Sequence, residues 1–211
     1  MNPFFYPKYK HTRTQKPKQY LTYQAYKPVL RGEFRRKCVY CLTPDTNFPR
    51  QDGYGVDHYR PKSLFSDLAT DYSNLYYCCN PCNSRKGDYW PNKVDENRLF
   101  IPNPCDHEMF RHLRFSGSVV EHRSEAGELA VKLLDLNDPK VIRFRQSITE
   151  MVDVFSKKLA QMETTHAKLC GIADKGHEKR DELLADIGVL EADMANTRRV
   201  LEQLTGQPIP Q

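Results

Sequence analysis

The sequence predicts an α+β protein: a small metal-stapled unit followed by a C-terminal helical hairpin. Three observations carry that reading. Two CxxC knuckles, Cys38-Val39-Tyr40-Cys41 and Cys79-Asn80-Pro81-Cys82, are separated by 37 residues. Between them run short apolar stretches broken by turn residues, a pattern that a metal rather than a large core must hold together. Beyond residue 124 the pattern turns helical, with two heptad ladders of the coiled-coil type.

The elements follow in order. Residues 1–37 form a basic arm and lead-in, irregular or flexible over 1–19, where aliphatic residues are few and Lys and Pro abundant, with a short amphipathic helix near 20–37. Residues 38–88 are the stapled unit. Residues 89–123, with several prolines, read as an irregular connection holding a strand or two. Residues 124–211 are helical. The first ladder there is Ile148, Val152, Phe155, Leu159, Met162 and Leu169; the second is Leu183, Ile187, Leu190, Met194, Leu201 and Leu204. Steps of three and four place each set on one helix face, and Gly171 and Gly176 between them mark a turn. The hairpin either packs on the stapled unit or docks to a partner or a second copy.

Composition narrows the function. The chain has 211 residues and seven cysteines. An odd cysteine count without an apolar leader of signal-peptide length argues for metal ligation in a reducing, cytoplasmic compartment rather than a disulfide framework. No apolar run approaches the roughly 20 residues that span a bilayer. The net charge of +5 is unevenly spread, because residues 1–40 hold ten Lys or Arg against the single acid Glu33. A basic, Tyr-rich arm suits contact with phosphates and bases; its alternative is a solvated leader.

Four thiolates paired as CxxC can close a tetrahedron around structural zinc, which assigns Cys38, Cys41, Cys79 and Cys82 to one Zn²⁺. Cys78 offers a competing CxxxC with Cys82, but Cys79 matches the first knuckle. Cys105 and Cys170 are isolated and carry no role. Within the insertion, GVDHYRP reads as a strand bearing adjacent Asp57 and His58, with Arg60 and Lys62 close behind. Phosphodiester hydrolysis needs a base for water, a cation on the crowded oxygens and positive groups for the backbone. His58 is suited to the first task and Asp57, a hard oxygen donor, to the second. Adjacent side chains on a regular strand point to opposite faces, so both reach one phosphate only near a strand end. Asn83 follows the last zinc cysteine directly and would be fixed by it; Arg85 and Lys86 come next. His107 and His112, near Cys105, match no metal spacing and read as surface or packing residues.

The order DHYRPKS, then YSNLYYCCNPCNSRKG, resembles the HNH nuclease family, including its members with two zinc knuckles. That resemblance implies a ββα-metal fold around one catalytic Mg²⁺ or Mn²⁺. It makes His58 the general base, Asn74 the residue that holds the base-bearing segment, and Asp57 with Asn83 the metal ligands. The third signature position, often His, is here Asn83, a variant familiar in the family. Arg60, Lys62, Arg85 and Lys86 become candidates to grip phosphates of nucleic acid. A weaker resemblance in YQAYKPVLRGEFRRKCVYC, FIPNPCDHEMFRHLRF and AVKLLDLNDPKVIRFRQ points to standalone bacterial HNH proteins of antiviral defence, such as the nuclease subunit of Septu systems, which work with an ABC- or SMC-type ATPase. The expected function is a DNA endonuclease. RNA, for instance tRNA, is the alternative substrate, and a catalytically silent, zinc-stapled binding module is the alternative class.

Overall fold

The computed structural model describes residues 2–45, 53–173 and 179–209. They divide into two compact units, Phe4–Gln146 and Ser147–Gln211, the latter grouped with the first three residues.

In the larger unit, the lead-in helix is shorter than the 20–37 expected. A 3-10 turn, Tyr23–Tyr26, runs into α1, Lys27–Glu33, whose first turn holds Pro28. Arg35 and Arg36 have φ of 52° and 61°, left-handed conformations that end the helix before the first knuckle. The knuckle itself is closed by backbone bonds, Leu42 N–H to Cys38 O and Cys38 N–H to Thr43 O, both 3.0 Å. Strand β1, Tyr54–His58, then pairs antiparallel with β2, Leu75–Cys79, in a register that sets Tyr54 against Cys79 and His58 against Leu75. Every residue of β2 is buried. Helix α2, Asn80–Lys86, follows without a loop: Cys79 is its N-cap, Pro81 lies in its first turn, and Gly87, at φ 50°, ends it. The order strand, strand, helix is the ββα arrangement, built on the second knuckle.

The region 89–123 holds more regular structure than its prolines suggest. It contains α3, Met109–His112, and a hairpin of β3, Leu113–Ser116, with β4, Val119–His122. Helix α4, Glu125–Leu133, is capped by the Ser124 hydroxyl, which accepts from Gly127 N–H at 3.0 Å. The first residues of α5, Pro139–Ala173, also belong to this unit and carry Arg145, whose guanidinium is fully buried and donates to Leu136 O at 2.8 Å. The divide between the two compact units falls at 146/147, within α5. The core is rich in tyrosine, and each buried hydroxyl near the knuckles finds an acceptor: Tyr54 on Thr43 O, Tyr77 on Asp45 and Tyr76 on Asn103.

The arm is irregular in backbone but anchored. Phe4 and Tyr6 are buried, His11 N–H donates to Pro104 O, and the Arg13 guanidinium lies among the rings of Phe34, Tyr72 and Tyr76. Glu33, the one acid of the basic stretch, is buried and accepts from the Thr14 and Gln15 amides.

The smaller unit is an antiparallel hairpin of α5 with α6, Arg180–Thr205. Glu163 pairs with Arg198 and His166 with Glu191, so the numbering descends along α6 as it climbs along α5. Every residue of both heptad ladders is buried or half-buried. Helix α5 continues through Gly171; Gly176 lies outside the described residues. Among the described residues no helix is long and apolar enough to cross a membrane.

Candidate active site

The two knuckles meet. The sulfurs of Cys38, Cys41, Cys79 and Cys82 all lie within 4.8 Å of one another and all four residues are buried. A tetrahedron with metal–sulfur bonds of about 2.3 Å has edges of about 3.8 Å, and the Cys41–Cys79 separation is 3.7 Å. The donor set and spacing fit zinc. Cys78 lies alongside, 3.9 Å from Cys38, but its thiol donates to the Cys79 carbonyl. Burial pushes the Cys38 thiol up, but bonding within the cluster more than offsets this and holds it well below the usual thiol range, while the same bonding raises Cys79 and Cys82. The four thiols thus share their protons as a group, and a bound metal would displace them.

Asp57, His58 and Asn83 all line one polar cleft of about 390 Å³, together with Tyr23, Lys62 and Asn80. His58 is the last residue of β1, so the strand ends where both side chains of the pair must serve one space. Asn80 and Asn83, on the first turn of α2, lie against Gly55 of β1. Asp57, on the same strand face as Gly55, is 2% exposed. Its Oδ2 accepts from the Tyr40 hydroxyl at 2.6 Å and its Oδ1 from Lys86 Nζ at 3.0 Å. Burial, then the charge of Asp57, raises Tyr40 well above the usual phenol range, so this hydroxyl stays a neutral donor.

His58 is held by the loop after β1. Its Nε2 lies 2.9 Å from Ala69 O, and because a carbonyl only accepts, Nε2 carries the hydrogen and Nδ1 keeps a free lone pair. Tyr23 packs edge-on against the imidazole, with centroids 4.6 Å apart. Asn74, itself buried, closes that loop: its Oδ1 accepts from Arg60 N–H at 2.8 Å, and its Nδ2 donates to Arg60 O and Leu68 O. Asn74 thus stands behind the carbonyl that orients His58 without lining the cleft.

The basic followers separate. Lys62 lines the cleft, and exposed Arg60 lies over Trp90 at 5.6 Å. Arg85 and Lys86, expected as phosphate grips, are both paired with carboxylates. Arg85 turns to the segment after α4 and pairs with Asp135 at 3.0 Å. Lys86 is 3% exposed, spent on Asp57 and on His58 O at 2.7 Å. The reason is helical spacing, since Asn83 and Lys86 share one face of α2 while Cys82 and Arg85 share another. His107 and His112 pack around Phe100, His107 stacked on it at 4.3 Å, and join no metal-capable group among the described residues. Tyr23 and Tyr40 are site residues that the sequence reading does not single out. The signal for Tyr40 was its place inside a knuckle.

Residues 38–89 match the family described as HNH endonuclease, the stretch that holds both knuckles, Asp57, His58, Asn74 and Asn83. The chain is also 28% identical over 102 residues to the Septu protein PtuB of Bacillus thuringiensis. That alignment covers 48% of this chain and 37% of the relative, so the chain spans well under half of the relative's length. No solved structure gives a significant match.

Proposed function

We propose that the chain is a metal-dependent endonuclease that hydrolyses phosphodiester bonds of DNA. His58 serves as general base, Asp57 and Asn83 as ligands of a catalytic Mg²⁺ or Mn²⁺, and Asn74 as the brace of the base-bearing loop. The observation that supports this reading above all is that Asp57, His58 and Asn83 line one polar cleft. Asp57 offers hard oxygen, each carboxylate oxygen retaining a lone pair beyond its one hydrogen bond, and Asn83 adds an amide; this donor chemistry suits Mg²⁺ or Mn²⁺. Such an ion, when bound, stabilises charge on the phosphorane and the leaving oxygen. His58, with Nε2–H given to Ala69, takes the proton of the attacking water at Nδ1. Lys62 in the cleft, Arg60 on Trp90 and the exposed Lys8, Lys10, Lys16 and Lys18 of the arm supply positive charge for flanking phosphates, which sets affinity rather than sequence preference.

The test is cleavage of supercoiled plasmid by wild type and His58→Ala in Mg²⁺ or Mn²⁺, with chelator controls and a parallel RNA substrate. Wild type should nick or linearise DNA, and His58→Ala should cut at least 100-fold more slowly, on the order expected for loss of a general base, with zinc content unchanged. Cutting of RNA alone would move the substrate class. Tight binding without cutting of either polymer would return the chain to a zinc-stapled binding module. The proposal extends to context: by its resemblance to Septu the chain is the nuclease component of a bacterial antiphage defence system, and its α5–α6 hairpin is the surface for an ABC- or SMC-type ATPase or a second copy. Co-purification of such an ATPase with the full chain, lost on removal of 147–211, checks it.

A further inference from the structure

The first knuckle touches Asp57, a residue of the cleft lining, from its buried side through one side chain. Tyr40 lies between Cys38 and Cys41, is 1% exposed, and places its hydroxyl 2.6 Å from Asp57 Oδ2. Its backbone is held separately, by the Tyr6 hydroxyl on Tyr40 O at 2.6 Å. Asp57 Oδ1 is held from the other side by Lys86, at the end of a helix whose first turn carries Cys82. Both donors that orient the carboxylate are thus carried on segments that the cysteine cluster ties down. A buried carboxylate held at both oxygens has one accessible orientation, and its remaining lone pairs are aimed accordingly.

We infer that Tyr40 is a positioning residue for the catalytic metal, transmitting the geometry of the four-cysteine knuckle to the Asp57 carboxylate. This rests on the reading of Asp57 as a metal ligand. It assigns the zinc staple a task beyond stability, since the staple sets how the second, harder ion is received. Tyr40→Phe removes the hydroxyl alone, leaving the ring, the knuckle and the Tyr6 bond in place. Loss of an outer partner of a ligand weakens metal binding by about 10- to 100-fold, and that is the shift expected.

The experiment measures Mn²⁺ binding to the zinc-loaded full chain, without nucleic acid, by electron paramagnetic resonance, with zinc content and thermal melts recorded alongside. Four proteins are compared: wild type, Tyr40→Phe, Asp57→Ala and Tyr6→Phe. The inference holds if Asp57→Ala abolishes Mn²⁺ binding, Tyr40→Phe weakens it at least tenfold with full zinc, and Tyr6→Phe, a loss of a buried hydroxyl that does not touch Asp57, leaves it within twofold. It fails if Tyr40→Phe binds Mn²⁺ like wild type while Asp57→Ala does not bind, which spares the reading of Asp57. It fails equally if Tyr6→Phe weakens binding as much as Tyr40→Phe, because general loosening then suffices. Unchanged binding in Asp57→Ala overturns the ligand reading and the inference together.

Discussion

At the scale of single residues, charges that look free in the sequence are largely committed. Glu33 is the clearest case with a measurable consequence. Burial alone would raise its carboxyl, but the Thr14 and Gln15 amides, with His11 and Tyr72, more than offset burial and lower it from 4.5 to about 2. The folded value lies below the unfolded one, so the stabilisation is complete above about pH 4.5 and fades as pH falls toward 2. It amounts to about 3 kcal/mol near neutrality. Glu33→Gln should lose roughly that much in urea melts at about pH 7, and its gap to wild type should narrow from about pH 5 to 3. Comparing the two proteins at each pH cancels the acid loss of zinc that both share. Lys86 shows the limit of reading composition along the chain. In the motif it is one more cation near a candidate site; only the helix, which turns it toward β1 three positions after Asn83, makes it the counter-ion of Asp57. Asp57, His58 and Asn83 could be chosen from residue type and order, whereas the Ala69 carbonyl behind His58 could not, because a backbone acceptor leaves no mark on its own side chain.

At the scale of elements, the most legible features were those with strong local chemistry. The knuckles announced the cysteine cluster, and the heptad ladders announced α5 and α6, because thiol pairs and apolar spacing are written in consecutive residues. The strand or two expected in 89–123 are β3 and β4, but neither their positions nor the short α3 were legible, since four-residue elements carry too little periodicity to stand out among prolines. The length of α5 was misjudged at its far end, where Gly171 suggested a turn that the helix passes through. Helix α4 holds a glycine for a different reason. A Cβ on Gly127 would lie 2.0 Å from the His112 carbonyl oxygen, which already accepts from Arg123 N–H. Gly127→Ala must therefore push α4 off the end of α3, and despite alanine's better helix propensity it should destabilise the unit by about 1–3 kcal/mol. A chemical melt followed by circular dichroism measures it. A stability equal to or above wild type would mean that the helix shifts without cost.

At the scale of the molecule, α5 is shared by two jobs, and the place of Arg145 decides where the chain can be cut. Its guanidinium donates to Leu136 O and Ser118 O and lies over Phe115, all within the unit that holds the candidate site. A chain ended after residue 146 should keep one zinc and melt cooperatively. One ended after residue 140 loses Arg145 with its buried bonds and should be less stable by about 3 kcal/mol or more. Zinc content and melting of the two truncations separate the outcomes, and equal stability would remove Arg145 from the core's account. The cysteine cluster also has a consequence for the birth of the protein. Its two halves are separated by 37 residues of chain, and at about 5–20 residues per second a ribosome takes seconds to pass from one knuckle to the other. During that interval the emerging polypeptide has only half of its zinc site, and the strand bearing Asp57 and His58 lacks its pairing partner. Assembly of the cleft must therefore wait until α2 clears the exit tunnel, and until then β1 has no strand to pair with.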